Sequence, residues 1–304
     1  MTTIYNVTFK SAGQIEPRKG YSMRYAILVH GGVGSPKDND AGCIRAAEAG
    51  EKVLAEGGSA LEAVVAATVE LEDEPTYNAG IGSRPRLNFE CEMDAGLMTS
   101  DGKIGIVAAI KRVKNPVLVA LKVMEETPHV ILAGEGANEF ARQKGFPDFD
   151  PVTDYRREIL KGLIEKIKKG EEEKYMRYRG IVDGCDTVGA VALDSEGNFA
   201  SANSTGGTNI QLPGRIGDSP VVGAGFFAGP AGAIVTTGLG EEIIRRMSAV
   251  RAHDAMAAGA DAQKACEDAT SVFKDEFSFG ILAMTRDAAA WTDNRQMPVA
   301  VRSR

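Results

Sequence analysis

Asp186 and Thr187 stand where a charged stretch gives way to an alternating run, Thr187 to Leu193, of the kind that fills a half-buried strand. A threonine hydroxyl is a weak nucleophile at neutral pH unless a base takes its proton, and the sequence offers no histidine nearby: only His30, His129 and His253 are present. An N-terminal amine would serve instead. Its pKa of about 8 in model peptides leaves it substantially neutral at physiological pH, and it would sit on the same residue as the hydroxyl. The Asp186-Thr187 bond suits self-cleavage if the fold strains it. The Thr187 hydroxyl would attack the Asp186 carbonyl, the acyl group would shift from N to O, and water would hydrolyse the ester. The plain alternative is that Thr187 is an ordinary β-branched strand residue.

The 304 residues, 43% of them hydrophobic, suffice for a full core and fit one large α/β domain better than two small ones. A net charge of -7 leaves no basic footprint for a phosphate backbone or an anionic lipid surface, so neither nucleic acid nor a membrane is expected as partner. No apolar run approaches the roughly 18 residues of a membrane span, and residues 1–23 lack the continuous apolar centre of a signal peptide. A soluble, cytoplasmic protein is the expectation. Cys43, Cys91, Cys185 and Cys266 lie far apart with no CxxC pair, and no two histidines stand at i, i+4. Reduced cysteines and no catalytic metal are expected.

Around Thr187 the elements read as follows. Arg24 to His30 is a buried strand stopped by Gly31-Gly32-Val33-Gly34, and Ala41 to Ala55 a helix. Ser59-Ala60-Leu61-Glu62 is a capping box opening a second helix to about Glu72. Met93 to Met98 and Ile104 to Ile110 form a hairpin about Ser100-Asp101-Gly102, and Asn115-Pro116 starts a helix with Asn115 as cap. From Asp154 to Arg179, 15 of 26 residues are charged, which marks the best connector, about 145–186 with its flanks. Thr187 to Leu193 and Asn198 to Asn203 form a second hairpin about Glu196-Gly197, followed by a helix from Gly240 to Val250 and a strand from Phe279 to Met284. Two blocks of strands and helices imply sheets packed face to face with helices outside.

Eight ordered blocks then carry a resemblance: HGGVGS (30–35), LEDEPTYNAGIGS (71–83), EMDAGLM (92–98), VAAIKRVKNPVLVA (107–120), DTVGAVALDSEGN (186–198), STGGT (204–208), LPGRIGDSPVVGAG (212–225) and TTGLGE (236–241). The chain resembles the plant-type L-asparaginase and isoaspartyl peptidase family of N-terminal-nucleophile hydrolases, relatives of glycosylasparaginase and threonine aspartase. The resemblance implies an α+β fold, a four-layer αββα sandwich in a single domain. It implies autocleavage between Asp186 and Thr187 into an α chain, 1–186, and a β chain, 187–304.

On that resemblance Thr187 is the nucleophile, Thr205 orients it and Asn78 supports it, while the Thr237 hydroxyl and Gly238 N-H receive the oxyanion. Arg215 and Asp218 hold the substrate's α-carboxylate and α-ammonium, with Gly240 allowing close approach of the backbone. A guanidinium forks onto a carboxylate and a carboxylate pairs with an amine, so the residue types agree; as a mere surface ion pair the two would contribute little. The resemblance further implies a structural sodium held by backbone carbonyls of residues 71–81, no other cofactor, and a homodimer of processed αβ units.

The chain departs from the family pattern in places. Leu239 replaces a frequent histidine, Asp186 replaces the common glycine before the nucleophile, residues 291–304 match poorly, and the segment before Met23 has no counterpart. The leading expectation is hydrolysis of the asparagine side-chain amide or of β-aspartyl peptides, with release of aspartate. The alternatives are a glycosylasparaginase-like or threonine endopeptidase of the same family, and a non-processing small-molecule binding protein. GAGFFA (223–228) and GLGEEI (238–243) each lack the third glycine of a dinucleotide-binding loop.

Overall fold

A computed structural model describes residues 13–15, 24–35, 40–171 and 187–304. Asp186 and Cys185, together with residues 172–184 of the charged connector, lie outside the described residues. Two sheets organise the rest. The seven-stranded sheet has the order β12 (Val299–Ser303), β2 (Ala26–His30), β6 (Val188–Leu193), β7 (Phe199–Thr205), β3 (Met93–Thr99), β4 (Ile104–Ile110), β5 (Ile131–Ala133). The five-stranded sheet runs β1 (Gly13–Ile15), β11 (Ala289–Asp293), β10 (Phe279–Met284), β9 (Gly232–Gly238), β8 (Phe226–Gly229). Neighbours are antiparallel except β4 and β5.

Period-two alternation decides which way each strand faces. In β6, Val188, Ala190 and Ala192 join a cluster with α1 (Asp40–Ala55), α2 (Ala60–Asp73) and α3 (Pro116–Glu126), whereas Val191 and Leu193 join Phe226, Val235 and Leu282 between the sheets. A third cluster seats α7 (Ser248–Ala257) and α8 (Ala262–Ser271) against Ile234, Ile281 and Ala283 of the five-stranded sheet. The sheets approach closely where Gly96 meets Phe226: a Cβ at Gly96 would lie 2.4 Å from the ring. Burying that phenylalanine contributes about 1.5–3 kcal/mol.

Both hairpins and the capping box form as expected. Ser59 Oγ accepts the Glu62 N-H at 3.2 Å while Glu62 Oε2 accepts the Ser59 N-H at 2.8 Å, an arrangement that stabilises a helix start by about 1 kcal/mol. Asp194 Oδ1 accepts the Glu196 and Asn198 N-H groups at 3.0 and 2.9 Å and shapes the β6–β7 turn.

Three expectations change. Asn115 precedes α3 but makes no side-chain cap; its amide donates to Asp73 Oδ1 at 2.9 Å. The orphan donor goes instead to Glu72, whose Oε1 accepts the Val117 N-H (3.0 Å) and the Ser204 hydroxyl (2.6 Å). Burial pushes that carboxyl up to about 8. The connector is helical over α5 (Asp154–Lys166), capped by Thr153, because Leu160, Leu163, Ile164 and Ile167 recur at helical spacing within the charged composition. Arg156 on this helix donates to the Gly82 carbonyl at 2.8 Å. The helix expected from Gly240 to Val250 breaks at Met247, whose φ of 50° is left-handed, and becomes α6 (Gly240–Arg246) and α7. Between α3 and α5, α4 (Gly134–Gln143) covers β4 and β5. No helix among the described residues is long and apolar enough to cross a membrane.

Candidate active site

Thr187 immediately precedes β6, and pairing of Val188 with Ser204 sets it beside Thr205 at the end of β7. It is 4% exposed, and its side chain shares the inter-sheet face with Val191 and Leu193. Its hydroxyl donates to Thr205 Oγ1 at 3.2 Å and lies 3.3 Å from Ser219 Oγ. Three hydroxyls therefore meet in a buried space where each proton has few alternative acceptors.

The turn after Thr205 is held from two sides. Gly207 N-H donates to Thr205 Oγ1 at 3.0 Å, and Asn78 Nδ2 donates to the Gly207 carbonyl at 2.6 Å. Asn78 also accepts the Arg84 N-H on Oδ1 (2.8 Å), and its carbonyl accepts the Gly206 N-H (2.8 Å). Asn78 thus supports the residue that touches Thr187. Glycine is required here, since a Cβ at Gly206 would lie 2.6 Å from Asn78 Oδ1.

From the facing sheet, Thr237 of β9 accepts the Val33 N-H at 3.4 Å, which ties it to the glycine-rich end of β2. Gly238 has φ 143°, and a Cβ there would lie 2.2 Å from the Ser278 carbonyl. Asn203 donates to the Gly225 and Thr236 carbonyls at 2.7 and 3.2 Å, so the sheet carrying Thr205 is hydrogen-bonded to the one carrying Thr237.

Arg215 and Asp218 come from the 206–225 loop, and both flank Gly240. A Cβ at Gly240 would lie 2.8 Å from Asp218 Oδ1 and 3.0 Å from Arg215 Nη2, so only a glycine lets the backbone pass this close to both the anion and the cation. Arg215 does not fork onto Asp218; its Nε and Nη2 donate to the two oxygens of Glu241 at 3.1 and 3.0 Å. Burial pushes the Asp218 carboxyl up to about 7, against the opposing pull of the Arg215 guanidinium. Asp94 of β3 pairs in register with Thr205, and desolvation raises its carboxyl to about 6 although Oδ1 accepts the Ala109 N-H at 2.8 Å. That hydrogen bond holds Ala109 at a left-handed φ of 48°.

One histidine does lie close to Thr187. His30 on β2 pairs with Gly189, and the Thr187 backbone lies near enough to favour its protonated ring slightly. Burial outweighs this and lowers the imidazole to about 3, while Nδ1 accepts the Gly32 N-H at 3.2 Å. His30 is thus neutral, with one nitrogen occupied.

Of the residues expected from sequence, Thr187 and Thr205 make direct contact, Asn78 supports their turn, and Arg215 and Asp218 both approach Gly240. Thr237 and Gly238 occupy the opposing strand end. Ser219, Glu241, Asp94 and His30 were not anticipated as parts of the site. Ser219 and Glu241 are neighbours of chosen residues, so GDSP and GLGE contained the signal; for His30 and Asp94 only strand register reveals it.

The chain matches the family described as asparaginase over residues 23–302. It is 42% identical over 264 residues to a plant-type L-asparaginase of Pyrococcus abyssi, covering 83% of this chain and 86% of the relative. It is 44% identical over 233 residues to the human isoaspartyl peptidase/L-asparaginase, covering 73% and 74%. With more than two thirds of each chain aligned and a buried threonine pair at the head of β6, the chain belongs to the asparaginase family and is a hydrolase.

Proposed function

We propose that the protein hydrolyses the side-chain amide of L-asparagine and the β-linkage of isoaspartyl dipeptides through an acyl-enzyme on Thr187, releasing L-aspartate in the cytoplasm. The observation that carries this reading is the 3.3 Å approach of Thr187 to Ser219, the residue after Asp218, which makes nucleophile and head-group pocket contiguous. The names of the relatives agree with it.

Self-cleavage before Thr187 frees its amine. That amine takes the hydroxyl proton as Oγ attacks the substrate's side-chain carbonyl, the Thr237 hydroxyl and Gly238 N-H receive the negative oxygen, and the proton passes to the departing ammonia or amine as the C-N bond breaks. Water, deprotonated by the same amine, then splits the ester. Neutral His30, with Nδ1 already bonded, does not compete as base. Arg215 binds the α-carboxylate and Asp218 the α-ammonium. Fragments 1–186 and 187–304 stay together because β2 pairs with β6 and β3 with β7 across the cut. The cluster-by-cluster packing supports a single four-layer αββα domain, and we assign a dimer of such processed pairs.

A structural sodium suits the 71–81 loop. The backbone carbonyls of Glu72, Pro75 and Tyr77, which lie against Gly80 and Gly82, would be among its ligands. Such hard neutral oxygens are the ligand type an alkali cation takes. When bound it would supply loop rigidity, not chemistry.

The deciding assay measures ammonia from L-asparagine and free amino acid from a β-aspartyl dipeptide, alongside intact mass. Two fragments parting before Thr187 and both products are expected; a cleaved protein that forms neither product rules the reading out. Asp218 adds a pH dependence. Only its charged form pairs with ammonium, so as pH falls through about 7 the carboxyl takes up a proton and KM rises, by about tenfold per unit further down. A KM independent of pH between about 5 and 8 would remove Asp218 from that role. Gly240→Ala forces a methyl against Asp218 and Arg215, and overpacking of about 1–3 kcal/mol that displaces them predicts a KM raised about ten- to a hundredfold. Unchanged binding would mean that the head group sits elsewhere.

A further inference from the structure

Arg86 is fully buried. The turn that carries it closes through Arg86 N-H to the Glu90 carbonyl (2.8 Å) and Phe89 N-H to the Arg86 carbonyl (2.9 Å), with Phe89 at φ 65°. This turns the guanidinium inward, beneath the loop that leads from Thr205 to Arg215. Nε donates to Glu92 Oε2 at 3.2 Å, and Nη2 donates to the Glu92 carbonyl at 2.9 Å and to the Arg215 carbonyl at 3.0 Å. Glu92 Oε2 accepts a second bond, from the Gly214 N-H at 2.6 Å. Nη1 packs against the other end of the loop, since a Cβ at Gly207 would lie 2.7 Å from it.

A buried ion pair is costly to desolvate, and an apolar pair of like volume would fill the space at less expense. What apolar side chains cannot do is bond the Gly214 N-H and the Arg215 carbonyl. Those two groups lie in different peptide planes, 213–214 and 215–216, so bonding both fixes the backbone on either side of the Gly214–Arg215 link and with it the direction in which the Arg215 side chain departs. The arrangement also holds two guanidinium groups near one another against their repulsion, with Glu92 and Asp94 compensating.

We propose that Arg86 is a positioning residue of the substrate site: together with Glu92 it fixes the 207–215 loop so that Arg215 presents its guanidinium to the substrate's α-carboxylate. This rests on the head-group assignment made for Arg215 under the proposed function. Arg86 touches no substrate; it acts through the Arg215 backbone.

The test is steady-state kinetics on the processed full chain for Arg86→Lys, Arg215→Ala and the double variant, with β-aspartyl dipeptide as substrate. Arg86→Lys keeps a charge beside Glu92 but loses the planar fork. KM is expected to rise about tenfold or more, the weight of one charge-assisted hydrogen bond, with kcat held within about threefold. In the Arg215→Ala background the same change should add nothing further to KM. A merely structural Arg86 would instead lower the melting temperature and the active fraction, hence apparent kcat, and leave KM alone. If Arg215→Ala raises KM while Arg86→Lys does not, or if the two effects are additive, the positioning role is overturned. If Arg215→Ala itself leaves KM unchanged, the head-group assignment is what fails. Should Arg86→Lys not fold, Glu92→Gln retains an oxygen for Gly214 while removing the charge, and a KM equal to that of the unaltered protein would count against the proposal.

Discussion

Thr187→Ala is expected to run as a single chain on a denaturing gel and to lose turnover by about 10⁶-fold, the order reached when a hydrolase loses its nucleophile. The size follows from one side chain serving twice, first to open the peptide bond that frees the amine and then to attack substrate. The fold should survive. Thr187 is small and buried, and its removal strands only hydroxyl partners, of which Thr205 keeps the Gly207 N-H. Each hydroxyl left without its partner costs about 1–3 kcal/mol. Thr187→Ser retains the hydroxyl and should still cleave, which separates chemistry from packing. Activity of Thr187→Ala within about tenfold of the unaltered protein would transfer the reaction to another group.

Arg215→Ala should reduce kcat/KM by about 10- to 10²-fold, chiefly through KM, because it removes the charge-assisted fork to the substrate's α-carboxylate, worth about 1.5–3 kcal/mol. Glu241 also loses both of its Arg215 donors, and the Arg215 charge no longer opposes the desolvation of Asp218. Three carboxyls, Asp94, Asp218 and Glu241, would then face an incoming α-carboxylate. The sign for Asp218 follows: without the cation its pKa moves upward from about 7, so the pH at which KM begins to rise should move upward as well. Arg215→Lys should recover part of the affinity but not the two-point geometry. A KM profile that keeps its midpoint in Arg215→Ala would show that the two residues do not share a ligand.

Strand pairs and helix starts were readable where the signal is local. Asp194 to Asn198 makes its own turn, and Ser59 with Glu62 makes its own cap, because donor and acceptor lie within four residues. Asn115 misled for the opposite reason. Its neighbours favour a cap, but Asp73, 42 residues earlier, takes its amide and Glu72 takes the helix donor. The α5 helix was obscured by charge: Leu160 and Leu163 bury themselves while the other faces stay wet, so composition read as connector what periodicity reads as helix. The left-handed Met247 carries no glycine or asparagine to announce it.

The sequence by itself determined the residue types and their order: a threonine at the head of a strand, a second threonine at the end of the next, an arginine and an aspartate three apart, and glycines where side chains would intrude. It also determined the local turns, whose hydrogen bonds close within a few residues. Only the tertiary structure decided that Ser219 meets Thr187, that His30 is buried into neutrality, that Arg215 reaches Glu241 as well as Gly240, and that Arg86 holds the loop from below. Those contacts span tens to hundreds of residues and depend on register between strands and on exclusion of water, quantities that no local pattern encodes.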